Sequence, residues 1–181
     1  MTAHVYSTNV QKYATLEVPV GTISAGDQRS LYREDSEVLV IDEVTGTPGF
    51  EVVLTFEAIR TLKKYTNTVR INLVGYYSGN LGHDVKMYIW NYNTETWDAM
   101  TSDAKDIPDA LAEDAYSFQV FADDYVSGER TFKYAGFDNE VKILISHDSP
   151  GNAAHKLYLN RAYLEFVQVG TDRHKQVIAH A

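Results

Sequence analysis

Apolar and polar residues alternate in short runs along most of the chain, and Gly, Asn, Asp and Ser stand between the runs. An extended strand turns every second side chain to the same face, so each run predicts a strand with one face against a core. Residues 15–23 alternate in this way around Pro19, which has no N–H to give a ladder and therefore predicts an edge or arm strand. In residues 69–77, Val69, Ile71 and Leu73 share one face while Arg70 and Asn72 share the other. Residues 84–91 and 97–100, joined by Asn93-Thr94-Glu95-Thr96, predict a β-hairpin. Along its first strand Val85, Met87 and Ile89 form the core row, which leaves Lys86, Tyr88, Trp90 and Tyr92 on a second surface.

Residues 37–42, 50–56, 116–121, 131–134, 140–145 and 156–169 add further strands. In the last of these Leu157, Leu159, Arg161, Tyr163, Glu165 and Val167 share one parity and Tyr158, Ala162, Leu164 and Phe166 the other. Residues 24–27 and 45–49 are turns, residues 59–64 form at most one helical turn, and residues 103–113 are a polar loop around Pro108. Aromatic residues make up 12% of the chain and sit mostly within the alternating runs, which strengthens the strand assignment. With about 8–10 strands and no convincing helix, the pattern predicts an all-β fold, a sandwich of two antiparallel sheets. Its bounds are residues 15–169, with an N-terminal arm at 1–14 and a C-terminal tail at 170–181.

The 181 residues suit one domain, and 44% hydrophobic against 23% charged content is enough to bury a core. Sixteen Lys and Arg against 25 Asp and Glu give a formal charge of −9, and no window holds the basic surplus that phosphate neutralisation needs, so nucleic acid is not an expected partner. The chain has no cysteine, which excludes disulfides, thiolate nucleophiles and Cys-based zinc sites. The first residues lack a basic and apolar leader pattern, and no stretch approaches a membrane span; the expectation is a protein made in the cytoplasm, with no membrane partner.

Six histidines and many carboxylates raise the question of chemistry. His147-Asp148-Ser149 juxtaposes triad residue types, but adjacent positions cannot adopt triad geometry, so the segment is a turn after a strand. His83 and His155 are expected to be loop imidazoles, and no His-x-x-x-His spacing occurs. Asp123, Asp124 and Glu129, or Asp103, Asp106 and Asp109, could offer oxygen ligands to calcium, but neither set has the spaced loop signature, and solvated charge is the default. A glycosidase pair of Asp98 with Asp84 or Glu95 is not singled out by anything. No catalytic residue, metal ligand or cofactor is assigned. The aromatic group Tyr76, Tyr77, Trp90, Tyr92 and Trp97 has the most functional promise, because flat rings stack on sugars and anchor protein interfaces.

Three stretches carry a resemblance: Val20-Gly21-Thr22 through Ser24-Ala25-Gly26-Asp27 to Glu34-Asp35-Ser36; Tyr76-Tyr77-Ser78-Gly79 with the segment from Val85 to Asp98; and Ile143-Leu144-Ile145-Ser146-His147 with Gly151-Asn152 and His155-Lys156-Leu157. In order and spacing they resemble jelly-roll β-sandwich virion structural proteins of tailed bacteriophages and, more loosely, galactose-binding-like modules. The first resemblance implies a capsid decoration (cement) protein, on the capsid surface of a virion assembled in the host cytoplasm. Its partners would be the major capsid protein and copies of itself in a dimer or trimer. The interface residues expected on this reading are Tyr88, Trp90 and Tyr92, with Val18 and Val20 on the arm strand. The alternative is a carbohydrate-binding or receptor-binding module of a phage tail or secreted protein.

Overall fold

A computed structural model of the chain describes residues 4–10, 14–32, 37–57, 68–79, 85–100, 114–121, 123–126, 129–134 and 140–170. Among them are thirteen strands: β1 (His4–Val10), β2 (Ala14–Val20), β3 (Thr22–Ala25), β4 (Leu39–Asp42), β5 (Phe50–Glu57), β6 (Thr68–Tyr77), β7 (Val85–Asn91), β8 (Thr96–Ala99), β9 (Asp114–Phe121), β10 (Asp123–Val126), β11 (Glu129–Phe132), β12 (Glu140–His147) and β13 (Lys156–Gly170). A 3-10 turn, Gln28–Leu31, follows β3. The Asp27 carboxylate caps it by accepting the Arg29 N–H at 2.7 Å. Four residues are too few to write a helical period into the sequence, so the alternation does not anticipate this turn. The expected helical turn at 59–64, the loop at 103–113 and the tail at 171–181 lie outside the described residues.

The strands form two large antiparallel sheets. One has five strands in the order β2-β5-β12-β7-β8; the other has six, in the order β3-β4-β13-β6-β9, with β1 also paired to β13. Among the described residues the β10 and β11 strands pair with each other and with no further strand. The inner row of the five-stranded sheet is Phe50, Val52, Leu54 and Phe56 on β5, Val85, Met87 and Ile89 on β7, and Val141, Ile143 and Ile145 on β12. Facing it are Leu39 and Ile41, Ile71, Leu73 and Tyr77, and Leu157 and Leu159, and all belong to one buried cluster. Period-two alternation on both sides thus produces a jelly-roll β-sandwich with one core between its layers.

Two local devices shape this architecture. The predicted strand 15–23 divides at Gly21, whose φ of +108° carries the chain from the edge of one sheet to the edge of the other. A Cβ there would stand 3.1 Å from the Asp42 carbonyl oxygen, so glycine is needed for space as well as for conformation. Pro19 falls in β2, an edge strand, as its missing donor requires. The second device is an irregularity in β13 between Leu159 and Arg161, opposite Gly75 and Val74 of β6. The extra residue, Asn160, shifts the phase, so that Leu157 and Leu159 before it and Ala162 after it all face the core. Residues 4–10, expected only as part of an arm, run as β1 alongside the far half of β13.

On the outer side of the six-stranded sheet, Lys156 Nζ donates to Asp42 Oδ1 at 2.5 Å and Ser24 Oγ donates to the same oxygen at 2.5 Å. The Lys156 bond, then the Ser24 bond, hold the Asp42 carboxyl below its ordinary 3.8, and the same pairing raises Lys156. A carboxyl whose pKa falls on folding adds stability above its unfolded value and loses it as pH drops through the folded one; a raised lysine adds stability below its unfolded value and loses it as pH rises through the folded one. Lys156→Met is therefore expected to lower stability near neutral pH, with the difference from wild type closing at pH below about 3.8 and again at strongly alkaline pH. Urea unfolding of both proteins across that range measures the difference.

Candidate functional site

Because Val85, Met87 and Ile89 point inward, Lys86, Tyr88 and Trp90 stand on the outer face of the five-stranded sheet. The register sets Trp90 opposite Trp97 of β8, Tyr88 between Ala99 of β8 and Leu144 of β12, and Lys86 opposite Ser146. Leu144 is flanked in turn by Val53 of β5. The two indoles meet edge to face, with centroids 5.1 Å apart and planes at 70°, a favoured aromatic geometry. The result is a strip of rings and aliphatic groups across the middle of the outer face, where water-facing alternation would ordinarily put polar residues.

The hairpin that presents Trp97 is fixed by Asn91. Its Oδ1 accepts the backbone N–H of Asn93 at 3.0 Å, and its Nδ2 donates to Asp98 at 2.9 Å. Tyr134 donates a second hydrogen bond to Asp98 at 3.0 Å. One end of the strip is polar. Tyr88 donates a short hydrogen bond to Asp148 Oδ2, Ser146 Oγ donates to Asp148 Oδ1 at 2.6 Å, and Lys86 Nζ lies 3.9 Å from Oδ2. Burial, then the bond to Asp148, push the Tyr88 phenol up to about 12.

Of the residues expected at an interface, Tyr88 and Trp90 come together on this strip. Tyr92 lies just past the end of β7, half-buried, with its N–H bonded to the Lys133 carbonyl at 2.8 Å. Val18 packs against the core, and Val20 is half-buried at the end of β2, opposite Glu51. The wider aromatic group divides between the sheets: Tyr77 is fully buried, and Tyr76 stacks on Tyr158 at 4.3 Å, within 8° of parallel, on the six-stranded sheet. Trp97 joins the strip. The sequence named Asp148 only within a turn and did not place Leu144, Ser146 and Asp148 beside Tyr88, because the register between β7 and β12 is what brings them there.

A second polar cluster closes one end of the sandwich. The Glu43 side chain is completely buried after β4; its Oε1 accepts Tyr77 Oη at 2.7 Å and His147 Nδ1 at 2.6 Å, and its Oε2 accepts the Asn152 N–H at 2.8 Å. His155 Nδ1 lies 3.7 Å from Oε2. Burial, then Glu43, drive the Tyr77 phenol far above the ordinary tyrosine range. The cluster ties the 43–49 loop to the 148–155 loop as an internal anchor.

Among the described residues no group of three or more His, Asp or Glu is placed to hold a metal ion. Asp103, Asp106, Asp109, Asp84 and His83 lie outside the described residues, and Asp123, Asp124 and Glu129 fall in β10 and β11. Asp98 is engaged by Asn91 and Tyr134, while Glu95 is exposed in the turn with φ of 53°. Among the described residues no helix is long and apolar enough to cross a membrane.

No family model matches the chain, and no curated protein sequence matches it. Solved structures of similar fold include the CBM22-1 xylan-binding domain from Paenibacillus barcinonensis, with TM-score 0.47, 13% identity, and coverage of 91% of this chain and 95% of that one. A family 32 carbohydrate-binding module of a glycoside hydrolase from Clostridium perfringens gives 0.45 at 11% identity, covering 87% and 96%. A family 29 carbohydrate-binding module from Piromyces equi gives 0.44 at 11% identity, covering 99% and 100%.

Proposed function

We propose that the protein is a non-catalytic carbohydrate-binding module that holds a glycan against the outer face of its five-stranded sheet. The supporting observation is the grouping of Tyr88, Trp90 and Trp97 on that face, with hydrogen-bonding groups at one end. A pyranose ring has an apolar C–H face that packs on an indole and a rim of hydroxyls that need donors and acceptors. The strip supplies the first through its rings and the second through Lys86 and Asp148, whose side chains are exposed. Native gel electrophoresis with soluble polysaccharides in the gel tests this reading. At least one polysaccharide should retard the wild-type protein, and Trp90→Ala and Trp97→Ala should each weaken binding by about thirtyfold, the ~2 kcal/mol of an aromatic anchor. Migration unaffected by every polysaccharide, or equal retardation of the variants, would overturn it.

A second reading, a bacteriophage decoration protein that docks on the major capsid lattice as an oligomer, is favoured by the sheet edge. All four residues of β3 are exposed, and Ile23 is 43% exposed. A short edge strand with an exposed apolar residue offers backbone groups to another chain. Light scattering of the pure protein and sedimentation with undecorated heads separate the two readings: a lattice binder associates with heads and ignores glycans.

A further inference from the structure

We infer that Asp148 and Lys86 act together as the specificity element of the strip, selecting neutral hexopyranoses through a pair of adjacent ring hydroxyls; this rests on the carbohydrate-binding reading. The argument begins with exposure. The Lys86 and Asp148 side chains are 45% and 38% exposed, and ion pairs so open to water contribute little to stability. Yet Asp148 is held from two sides, by Tyr88 Oη on one oxygen and Ser146 Oγ on the other. Two donors fix the orientation of a solvent-facing carboxylate, and each of its oxygens keeps acceptor capacity for a further hydrogen bond.

Position supplies the rest. Lys86, Tyr88 and Trp90 are alternate residues of one strand, so the polar pair and the nearer indole lie within roughly 14 Å along it, the extent of one or two sugar rings. A ring packed on Trp90 would direct its equatorial rim along the sheet toward Tyr88 and Asp148. One hydroxyl then donates to Asp148 while its neighbour accepts from the Lys86 ammonium. A donor beside a fixed acceptor distinguishes a vicinal diol from a single hydroxyl and one epimer from another, because a misplaced hydroxyl leaves a polar group unpaired.

Charge sets the class. Near the cationic groups Lys86 and Lys142, the same face carries Asp148, Glu51 and Glu140, and the whole chain has a formal charge of −9. Uronate or sulfated polymers would meet net repulsion, whereas uncharged hexose polymers would not.

The test uses the full chain and four variants, Asp148→Ala, Asp148→Asn, Lys86→Met and Trp90→Ala, with titration calorimetry against neutral polymers (mixed-linkage glucan, galactomannan, galactan, xylan) and polygalacturonate. Thermal melting confirms that each variant is folded. The expected result is that wild type binds a neutral polymer and not polygalacturonate. Asp148→Ala and Lys86→Met should each weaken binding about tenfold or more and flatten the preference among neutral polymers, and Asp148→Asn should fall between. Binding lost in Trp90→Ala but unchanged in affinity and preference in Asp148→Ala and Lys86→Met would overturn this assignment and leave the carbohydrate reading standing. A wild-type preference for polygalacturonate would overturn it equally. No binding of wild type to any polymer would overturn both.

Discussion

Glu43→Ala is expected to destabilise the protein by about 3–5 kcal/mol, the loss typical when one member of a buried charged or hydrogen-bonded set is removed. The size follows from what is left behind. Tyr77, His147 and the Asn152 N–H all donate to this carboxylate, and the Tyr77 and His147 side chains are buried with it. Removing the acceptor strands three donors in a site that alanine cannot rehydrate without opening the loops. Glu43→Gln is expected to cost less but still substantially, since an amide has one oxygen and must turn its NH2 toward either Tyr77 and His147 or the Asn152 N–H, donor against donor. For a chain of this length a loss of 4 kcal/mol corresponds to a fall in Tm of roughly 12 °C, readily measured by calorimetry. Tyr77→Phe, which keeps the ring packed against Phe50 at 5.8 Å, isolates the hydroxyl's share and should cost about 1–2 kcal/mol. A Glu43→Ala protein that melts within a degree or two of wild type would show that the loops close without the cluster.

The second large effect is expected at Gly75, where alanine should cost about 3 kcal/mol. A Cβ at this position would come within 2.1 Å of the Tyr158 carbonyl oxygen and 3.1 Å of Leu159 Cα. Both are backbone atoms of β13 in the ladder beside β6, so relief requires moving a central strand of the six-stranded sheet. Gly75 sits at the β13 irregularity, where the missing side chain lets the displaced backbone approach. Gly46 provides the comparison: a Cβ there meets nothing nearer than Val44 Cγ2 at 3.9 Å, and Gly46→Ala should change stability by less than about 0.5 kcal/mol. Urea unfolding of the two variants side by side reads the contrast, and equal stabilities would refute the steric account.

The same irregularity marks the boundary of what period-two reading reveals. In β6 and β7 the apolar rows were plain in the sequence, and Ile71 and Leu73, and Val85, Met87 and Ile89, are buried as alternation requires. In β13 the phase shifts at Asn160, so that Leu157 and Leu159 of one parity and Ala162 of the other all reach the core, and sorting the run by parity alone does not give its buried row. Residues 15–23 read as one strand because Leu16, Val18 and Val20 alternate up to Gly21 and Ile23 follows closely, although the chain changes sheets at Gly21. Tyr88 and Trp90 were legible as an outward row from their own strand alone. Asp148 was not, since it lies 60 residues from Tyr88 and meets it only through the β7–β12 register. Glu43 was equally hidden: in sequence it is one more carboxylate after a strand, and its burial depends on a histidine 104 residues away.

The placement of β13 also governs when the molecule can assemble. This strand pairs with β1, β4 and β6, all of them earlier in the chain, and lies at the middle of their sheet. During synthesis those three elements leave the ribosome with no central partner, and β4 and β6 each hold a bare hydrogen-bonding edge beside apolar side chains until residues 156–170 follow. Closure therefore waits for the last strand and draws together segments from nearly the whole length of the chain, a route that is slow and vulnerable to intermolecular pairing. Conditions that slow aggregation of nascent chains, such as low temperature and modest expression, should raise the yield of native protein more than any change confined to the outer face of the five-stranded sheet.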